Sequence, residues 1–478
     1  MTVRGGRSRR SGSRARRTDM YRPDRRPARR RARLRGHLAE PLYRTAYSLM
    51  AATVLTSVLG LGFWVVAARL YAPEVVGRDS ALIASMMALS TIAQLNLLTA
   101  IDRFLPRMGA KTARTVAAAY ALSGAAALVL GVGFVLLIPR FAPDLEAFRT
   151  SWSLAVIFVF ALVSWGVFVI QDAALTAVRA APWIPVENAA FGVLKIAALP
   201  LAMGVVASHG IFASWLLPAL LVIPPVNWFL FRRAIPNHVA TQRGGPRSID
   251  EFTRRRLTTF LAQDYLSAVF SQGAFMMLPL LVVALLGSRE NAYFSVAVTL
   301  VASFDLLAWN VVTSFTVEGT LTRGRRRELT RAVVRRLLGP LAGATVVLIA
   351  VAPLVLLPFG PGYSQEAAPL VRILACASLF RAAQFLYGAL CRLDGRAWPL
   401  VMIGAGQFAL LLPLTLVLVP IFGLKGAALA WLVSHIVVAA PALPAIANAV
   451  REPAVAASPV PDADLPLNRA VARDPTRS

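Results

Sequence analysis

Charge and cysteine are both scarce in this 478-residue chain. Asp, Glu, Lys and Arg make up 15% of it, where a soluble protein carries about a quarter. With 57% hydrophobic residues, that shortage excludes a cytosolic enzyme and a disordered protein. The two cysteines, Cys376 and Cys391, read as one helix and sit about 22 Å apart along its axis. They cannot bond to each other. The four histidines stand at 37, 209, 238 and 435, at no metal-ligand spacing. Neither a metal nor a cofactor is expected. There is no G-x-x-x-x-G-K-[ST] phosphate loop and no G-x-S-x-G elbow. Gly131-Val132-Gly133 lies inside an apolar run and reads as helix packing. The breaks between apolar runs are too short for a soluble catalytic domain, so no enzyme is expected.

What the chain has instead is about a dozen apolar stretches of membrane-crossing length. They fall at 45–69, 80–101, 114–138, 151–172, 188–207, 210–231, 258–286, 292–316, 334–358, 366–390, 397–421 and 425–446. None shows barrel-type alternation. The expected fold is an all-α polytopic membrane protein, with about 12 transmembrane helices in two parallel six-helix halves around a central cavity. The expected organisation is a basic disordered cytoplasmic arm (1–44), a first six-helix bundle (45–231), a basic cytoplasmic linker (232–257), a second bundle (258–446) and a disordered tail (447–478). A faint echo between Val66–Glu74 and Val282–Glu290, each a helix, a short turn and a Glu, fits two repeats related along the membrane normal.

Base outnumbers acid, 50 to 23, and very unevenly. Residues 1–36 hold fifteen arginines against Asp19 and Asp24. Such an arm is either a tether to anionic lipid headgroups or a solvated topogenic tail. No nucleic-acid fold or aromatic platform accompanies it. Outside both tails, one set of alternate loops carries twenty-one Lys/Arg and the other six. The positive-inside bias puts both termini in the cytoplasm.

Ionisable groups within spans are costly and face a wet or paired interior. They are Lys195, Asp264, Asp305, Arg372, Arg381 and His435, with amides at Gln94, Asn96, Gln263, Gln272, Asn310, Gln384 and Gln407. Asp264, Ser267 and Ser271 share one helix face, as do Arg381 and Gln384. Arg372 and Arg381 lie half a turn apart, so one of them snorkels or pairs. Two readings stay open. Lys195, Arg372 or Arg381 offers positive charge in a cavity, with Asp264 and Asp305 as counter-charges or cation-coupling sites. Alternatively, these residues form buried ion pairs that only fix packing. His435 reads as a hydrogen-bonded packing residue.

The first span exits through Gly62-Phe63-Trp64-Val65-Val66-Ala67-Ala68-Arg69-Leu70-Tyr71-Ala72-Pro73-Glu74-Val75-Val76-Gly77. Ser80-Ala81-Leu82 and Asp102-Arg103-Phe104-Leu105-Pro106-Arg107 follow. This stretch resembles the polysaccharide-flippase branch of the multidrug/oligosaccharidyl-lipid/polysaccharide exporter superfamily. The corresponding turn of the second half, Ser288-Arg289-Glu290-Asn291-Ala292-Tyr293, lacks the Pro and Gly. The resemblance implies a V-shaped pair of bundles that moves a polyprenyl-(pyro)phosphate-linked sugar across the cytoplasmic membrane by alternating access, making and breaking no bond. Arg103, Lys195, Arg381, Gln384, Gln94 and Asn96 are then the expected substrate contacts, and Asp264 and Asp305 the coupling candidates. Anionic lipids, and a glycan polymerase or glycosyltransferases, are the expected partners. A cation-coupled drug or metabolite exporter of the same superfamily and a non-transporting membrane scaffold are the competing functions.

Overall fold

A computed structural model describes residues 41–206, 208–241, 251–321, 326–394, 396 and 398–451. Residues 1–40 of the expected basic arm and most of the expected tail lie outside the described residues, whereas 41–44, expected in the arm, begin the first helix. Residues 442–451, however, are helical, so the helical body extends past the expected boundary at 446.

The described residues build twelve principal helices. In the first half they are α1 (Pro41–Leu70), α2 (Pro73–Ala93), α3 (Thr112–Leu137), α4 (Trp152–Ala177), α5 (Ile184–Val205) and α6 (Gly210–Phe229). The second half holds α7 (Glu251–Leu286), α8 (Ser288–Leu321), α9 (Arg326–Leu356), α10 (Ala368–Leu393), α11 (Trp398–Phe422) and α12 (Leu424–Ala439). Ten helical stretches among the described residues are long and apolar enough to cross a membrane. The pair Leu424–Ala439 and Ala442–Arg451, bent by 44°, makes an eleventh, and Leu55–Leu70 is a shorter apolar stretch. The protein is an all-α multi-pass membrane protein.

Several boundaries depart from the sequence expectation. The second span starts at Pro73 rather than residue 80. Proline fits the first helical turn, where its missing N–H costs nothing, and Glu74 complements the helix dipole there. The same span breaks near residue 95, because Leu95 and Asn96 take left-handed φ angles of 48° and 57°. A short helix, Leu97–Phe104, follows. The fifth span begins at Ile184 because Pro185 occupies its first turn. Consequently Asp172 and Glu187, placed by sequence at a span's edge and in a loop, both stand on helices. Within the basic linker, Ile235–Thr241 is helical and α7 starts at Glu251; residues 242–250 lie outside the described residues. Prolines inside helices, such as Pro218, Pro224 and Pro225 of α6, are tolerated where neighbouring helices satisfy the freed carbonyls.

The halves meet through α2, which packs on both α7 and α8. At the end formed by the α1–α2 and α7–α8 turns, the contact is tight and polar. Asn291 Nδ2 donates to Gly77 O at 2.7 Å and to Ser80 Oγ at 3.2 Å. Ser80 Oγ donates to Ser295 Oγ at 3.0 Å. Asp144 accepts the Ser288 amide at 2.6 Å, and Arg69 donates to the carbonyls of Leu357 and Pro358 at 2.8 and 2.6 Å. Gly77 is there because a Cβ would overlap the Ser288 carbonyl. Toward the opposite end, the described bond between α2 and α7 is Tyr265 Oη to Ile92 O at 2.6 Å.

Candidate functional site

Below the sealed end lie two adjoining cavities that share Phe275, Ala302 and Leu306. One, of about 360 Å³, lies between the halves. Its walls are α1 (Thr56 to Trp64), α2 (Ser80 to Met87), Lys195 of α5, Trp215 of α6, and facing stretches of α7 and α8. The other, of about 570 Å³, lies within the second half. It is lined by Ser267, Ser271 and Gln272 of α7, Asp305 and Trp309 of α8, Arg381 and Gln384 of α10, Gln407 of α11, and Trp431 and His435 of α12.

Lys195 faces the first cavity and the half-buried Arg381 the second, and the two are held in different ways. Lys195 is 6% exposed. Its Nζ lies 4.5 Å from the Trp215 ring centre, 4.9 Å from Phe63 and 5.3 Å from Phe191. Three helices thus converge to place aromatic faces around one ammonium, an attraction on the order of 2 kcal/mol for a desolvated contact. Among the described residues no carboxylate pairs with it. Arg381 also lies between aromatic rings, with its guanidinium carbon 5.3 Å from the Trp431 centre and 5.5 Å from Phe275. Here a carboxylate does neutralise it, since Arg381 Nη1 donates to Asp305 Oδ2. The first cavity keeps the Lys195 charge without a carboxylate partner among the described residues, whereas the second holds the Arg381–Asp305 pair and is also lined by the exposed Arg392. An anion in the first cavity would offset the desolvation of Lys195 directly; at Arg381 it would compete with Asp305.

Several other polar groups of the second cavity are tied to protein, while Gln407 Oε1 and Asp305 Oδ1 are buried without a hydrogen-bond partner. Gln384 Nε2 donates to the His435 carbonyl at 3.2 Å and Gln407 Nε2 to Ser434 Oγ at 2.7 Å. His435 Nδ1 donates to Trp431 O at 2.8 Å, which matches its reading as a packing residue. Ser267 and Ser271 do share the cavity face with Gln272, and Ser267 Oγ donates to Leu400 O at 2.9 Å. Arg372 is exposed and its Nε donates to Ile349 O at 3.2 Å, while Arg381 is the one of the two that pairs.

The expected contacts therefore separate into groups. Arg381, Gln384 and Asp305 share one cavity, and Lys195 faces the adjoining one. Gln94 lies at the far end of α2, with Nε2 on Ser90 Oγ at 3.3 Å. Asn96 accepts from Thr99 Oγ1 at 2.8 Å within the turn into the next helix. Neither lines either cavity. The side chains of Arg103 and Asp264 lie outside the described residues. Sequence reasoning missed the Asn291–Ser295–Thr299 stripe, whose i, i+4, i+8 spacing was legible, and missed Ser80 opposite it. It also missed Asp79, which is buried and accepts the Phe212 amide at 2.9 Å at the start of α6.

The sequence matches no family model, and no curated protein matches it. The structure is similar to solved transporters. An inward-facing multidrug-resistance MATE transporter of the MOP superfamily superposes with TM-score 0.59 at 15% identity, over 85% of this chain and 98% of that one. The lipid II flippase MurJ, in an inward closed conformation, gives 0.59 at 13% identity, over 83% and 86%. An outward-facing MATE transporter gives 0.56 at 14% identity, over 86% and 96%. At such identity the likeness speaks to the fold, and the twelve-helix fold of this chain is the one these MOP-superfamily proteins have.

Proposed function

We propose that the protein is a translocator that carries a lipid-linked anionic headgroup, of the polyprenyl-(pyro)phosphate-sugar class, across the cytoplasmic membrane by alternating access. The observation that carries this reading is Lys195. It is a buried ammonium without a carboxylate partner among the described residues, on the wall of a cavity that both halves build. A diphosphate cannot cross hydrocarbon unaided because its charges would be stripped of water. A chamber that sets one ammonium and several Ser and Thr hydroxyls in a mostly apolar wall lowers that cost, while the gap between halves leaves a lipid tail in the bilayer. By the arginine bias the sealed Gly77 end faces outward and both termini face the cytoplasm. Anionic lipids on the basic arm, and glycan-assembling enzymes as company, belong to the same reading.

The test is flipping of a fluorescent polyprenyl-pyrophosphate sugar in proteoliposomes. The native chain is expected to move it, Lys195→Met to lose most of the rate, and Lys195→Arg to retain part of it. Equal rates for the native chain and Lys195→Met would overturn the reading.

A second reading, a cation-coupled exporter of drugs or metabolites, draws on the Arg381–Asp305 pair inside the larger cavity. It predicts that expression lowers cellular accumulation of a cationic dye and that Asp305→Asn abolishes the effect. Unchanged dye accumulation removes it.

A further inference from the structure

Away from both cavities, a line of polar side chains on α3, α4, α5 and α6 ends on two carboxyl groups. Tyr120 Oη donates to Asn227 Oδ1 at 2.8 Å. Asn227 Nδ2 gives one hydrogen to Gln171 Oε1 and the other to Ile223 O at 3.1 Å. Gln171 Nε2 donates to Glu187 Oε1. Asn188 Nδ2 donates to Ile184 O at 3.0 Å and to Asp172 Oδ2 at 3.4 Å. The direction of each bond is fixed by its neighbour, because each amide nitrogen can only give and each amide oxygen can only accept.

These bonds satisfy one oxygen of each acid and leave the other. Asp172 Oδ1 and Glu187 Oε2 are both buried without a hydrogen-bond partner, and Glu187 as a whole is 3% exposed. The two carboxyl groups lie within hydrogen-bond reach of each other. Among the described residues no Lys or Arg pairs with either. Two adjacent carboxylates, each with an orphan oxygen, cannot both stay ionised in such a site. A single proton shared between the two carboxyl groups removes that repulsion, because the protonated group donates to the other.

We propose that Asp172 and Glu187 together hold one proton, forming a proton uptake and release site that opens to water when the α4–α5 hairpin parts from α6. Asp172 is in the last turns of α4 and Glu187 in the first turn of α5. The hairpin between them, residues 178–183, bends at Arg179, whose φ is 64°.

Few other groups face the pair. From α3 comes Tyr120, and from α6 the uncharged Asn227. Arg232 and Arg233, just beyond α6, are exposed. Arg179 lies near His238 of the helix Ile235–Thr241. The helix Leu97–Phe104, which packs on α4, carries the exposed Asp102, together with Arg103, whose side chain lies outside the described residues. So do those of residues 41–54 on α1. The proposal does not depend on what the protein transports.

Infrared spectroscopy of the full chain in lipid nanodiscs tests it. At neutral pH the native protein should show the carbonyl stretch of a protonated carboxylic acid, and Glu187→Gln and Asp172→Asn should each remove it. In either variant an amide N–H replaces the proton, so the bundle still folds, as helical circular dichroism and gel filtration will report. Raising the pH should remove the band in the native chain. Over the same range, deuterium uptake by residues 178–183, corrected for intrinsic exchange, should rise several-fold, yet stay flat in Glu187→Gln. Absence of the band from the native protein overturns the proposal, as does its survival in both variants. Loss of the band in NaCl but not in choline chloride of equal ionic strength also overturns it, by making the pair a sodium site. A band that titrates with no change in hairpin exchange refutes the release step.

Discussion

A single methyl group added at position 77 should prise the sealed end apart. A Cβ there would collide with the Ser288 carbonyl and the Ala292 amide. These are backbone atoms of α8 that cannot rotate away. Relief requires α2 and α8 to separate, which breaks Asn291 to Gly77, Asn291 to Ser80 and Ser80 to Ser295. At about 1 kcal/mol per net hydrogen bond, those three contribute about 3 kcal/mol to closure. Crowding itself adds about 1–3 kcal/mol. Gly77→Ala should therefore shift the balance between sealed and opened conformers by more than about a hundredfold. Glu74 and Arg289 are exposed, 3.9 Å apart at the same seam, and can carry spin labels after Cys376 and Cys391 are replaced by Ala. Double electron–electron resonance should show a short distance in the parent and a dominant longer one in Gly77→Ala. If both proteins fold and give the same short distance, the close approach is not what holds this end shut.

Other perturbations have equally defined outcomes. Asp305→Asn leaves the half-buried Arg381 guanidinium without its counter-charge and should lower thermal stability in detergent. Asp305→Leu with Arg381→Met should recover most of that loss, whereas additive losses would mean that the two side chains do not act as a pair. Gly426→Ala drives a Cβ into the Leu418 carbonyl across the α11–α12 turn. It should reduce the yield of folded protein more than Gly133→Ala, where nothing lies within 4 Å. Equal yields would show that this turn can relax.

Where apolar period and length decide the structure, the sequence was a good guide, and where several helices converge it was not. The dozen spans follow from runs too long to be anything but membrane helices. The Pro73–Gly77 turn was recognisable, but its purpose was not. Proline's place in the first helical turn is a local fact, whereas the need for glycine arises from α8, more than two hundred residues away. Pairing of Arg381 with an aspartate was among the options open from sequence, since a buried arginine needs a counter-charge. The cage around Lys195 was not legible, because Phe63, Phe191 and Trp215 come from α1, α5 and α6 and have no shared spacing. Asp172 and Glu187 were passed over for a local reason. The prolines at 182 and 185 suggest a loop, and the structure instead uses Pro185 to start α5. The break at Leu95-Asn96 has no glycine or proline to announce it.

The account rests on Lys195 as the charge that receives an anionic headgroup inside a chamber shared by both halves. Its most direct test is the rate at which a fluorescent polyprenyl-pyrophosphate sugar crosses proteoliposome membranes containing the native chain, Lys195→Met or Lys195→Arg, each verified as folded. The account predicts clear transfer by the native chain, a loss of at least tenfold in Lys195→Met, and intermediate transfer in Lys195→Arg. No transfer by the native chain, or transfer indifferent to the loss of this ammonium, would contradict it.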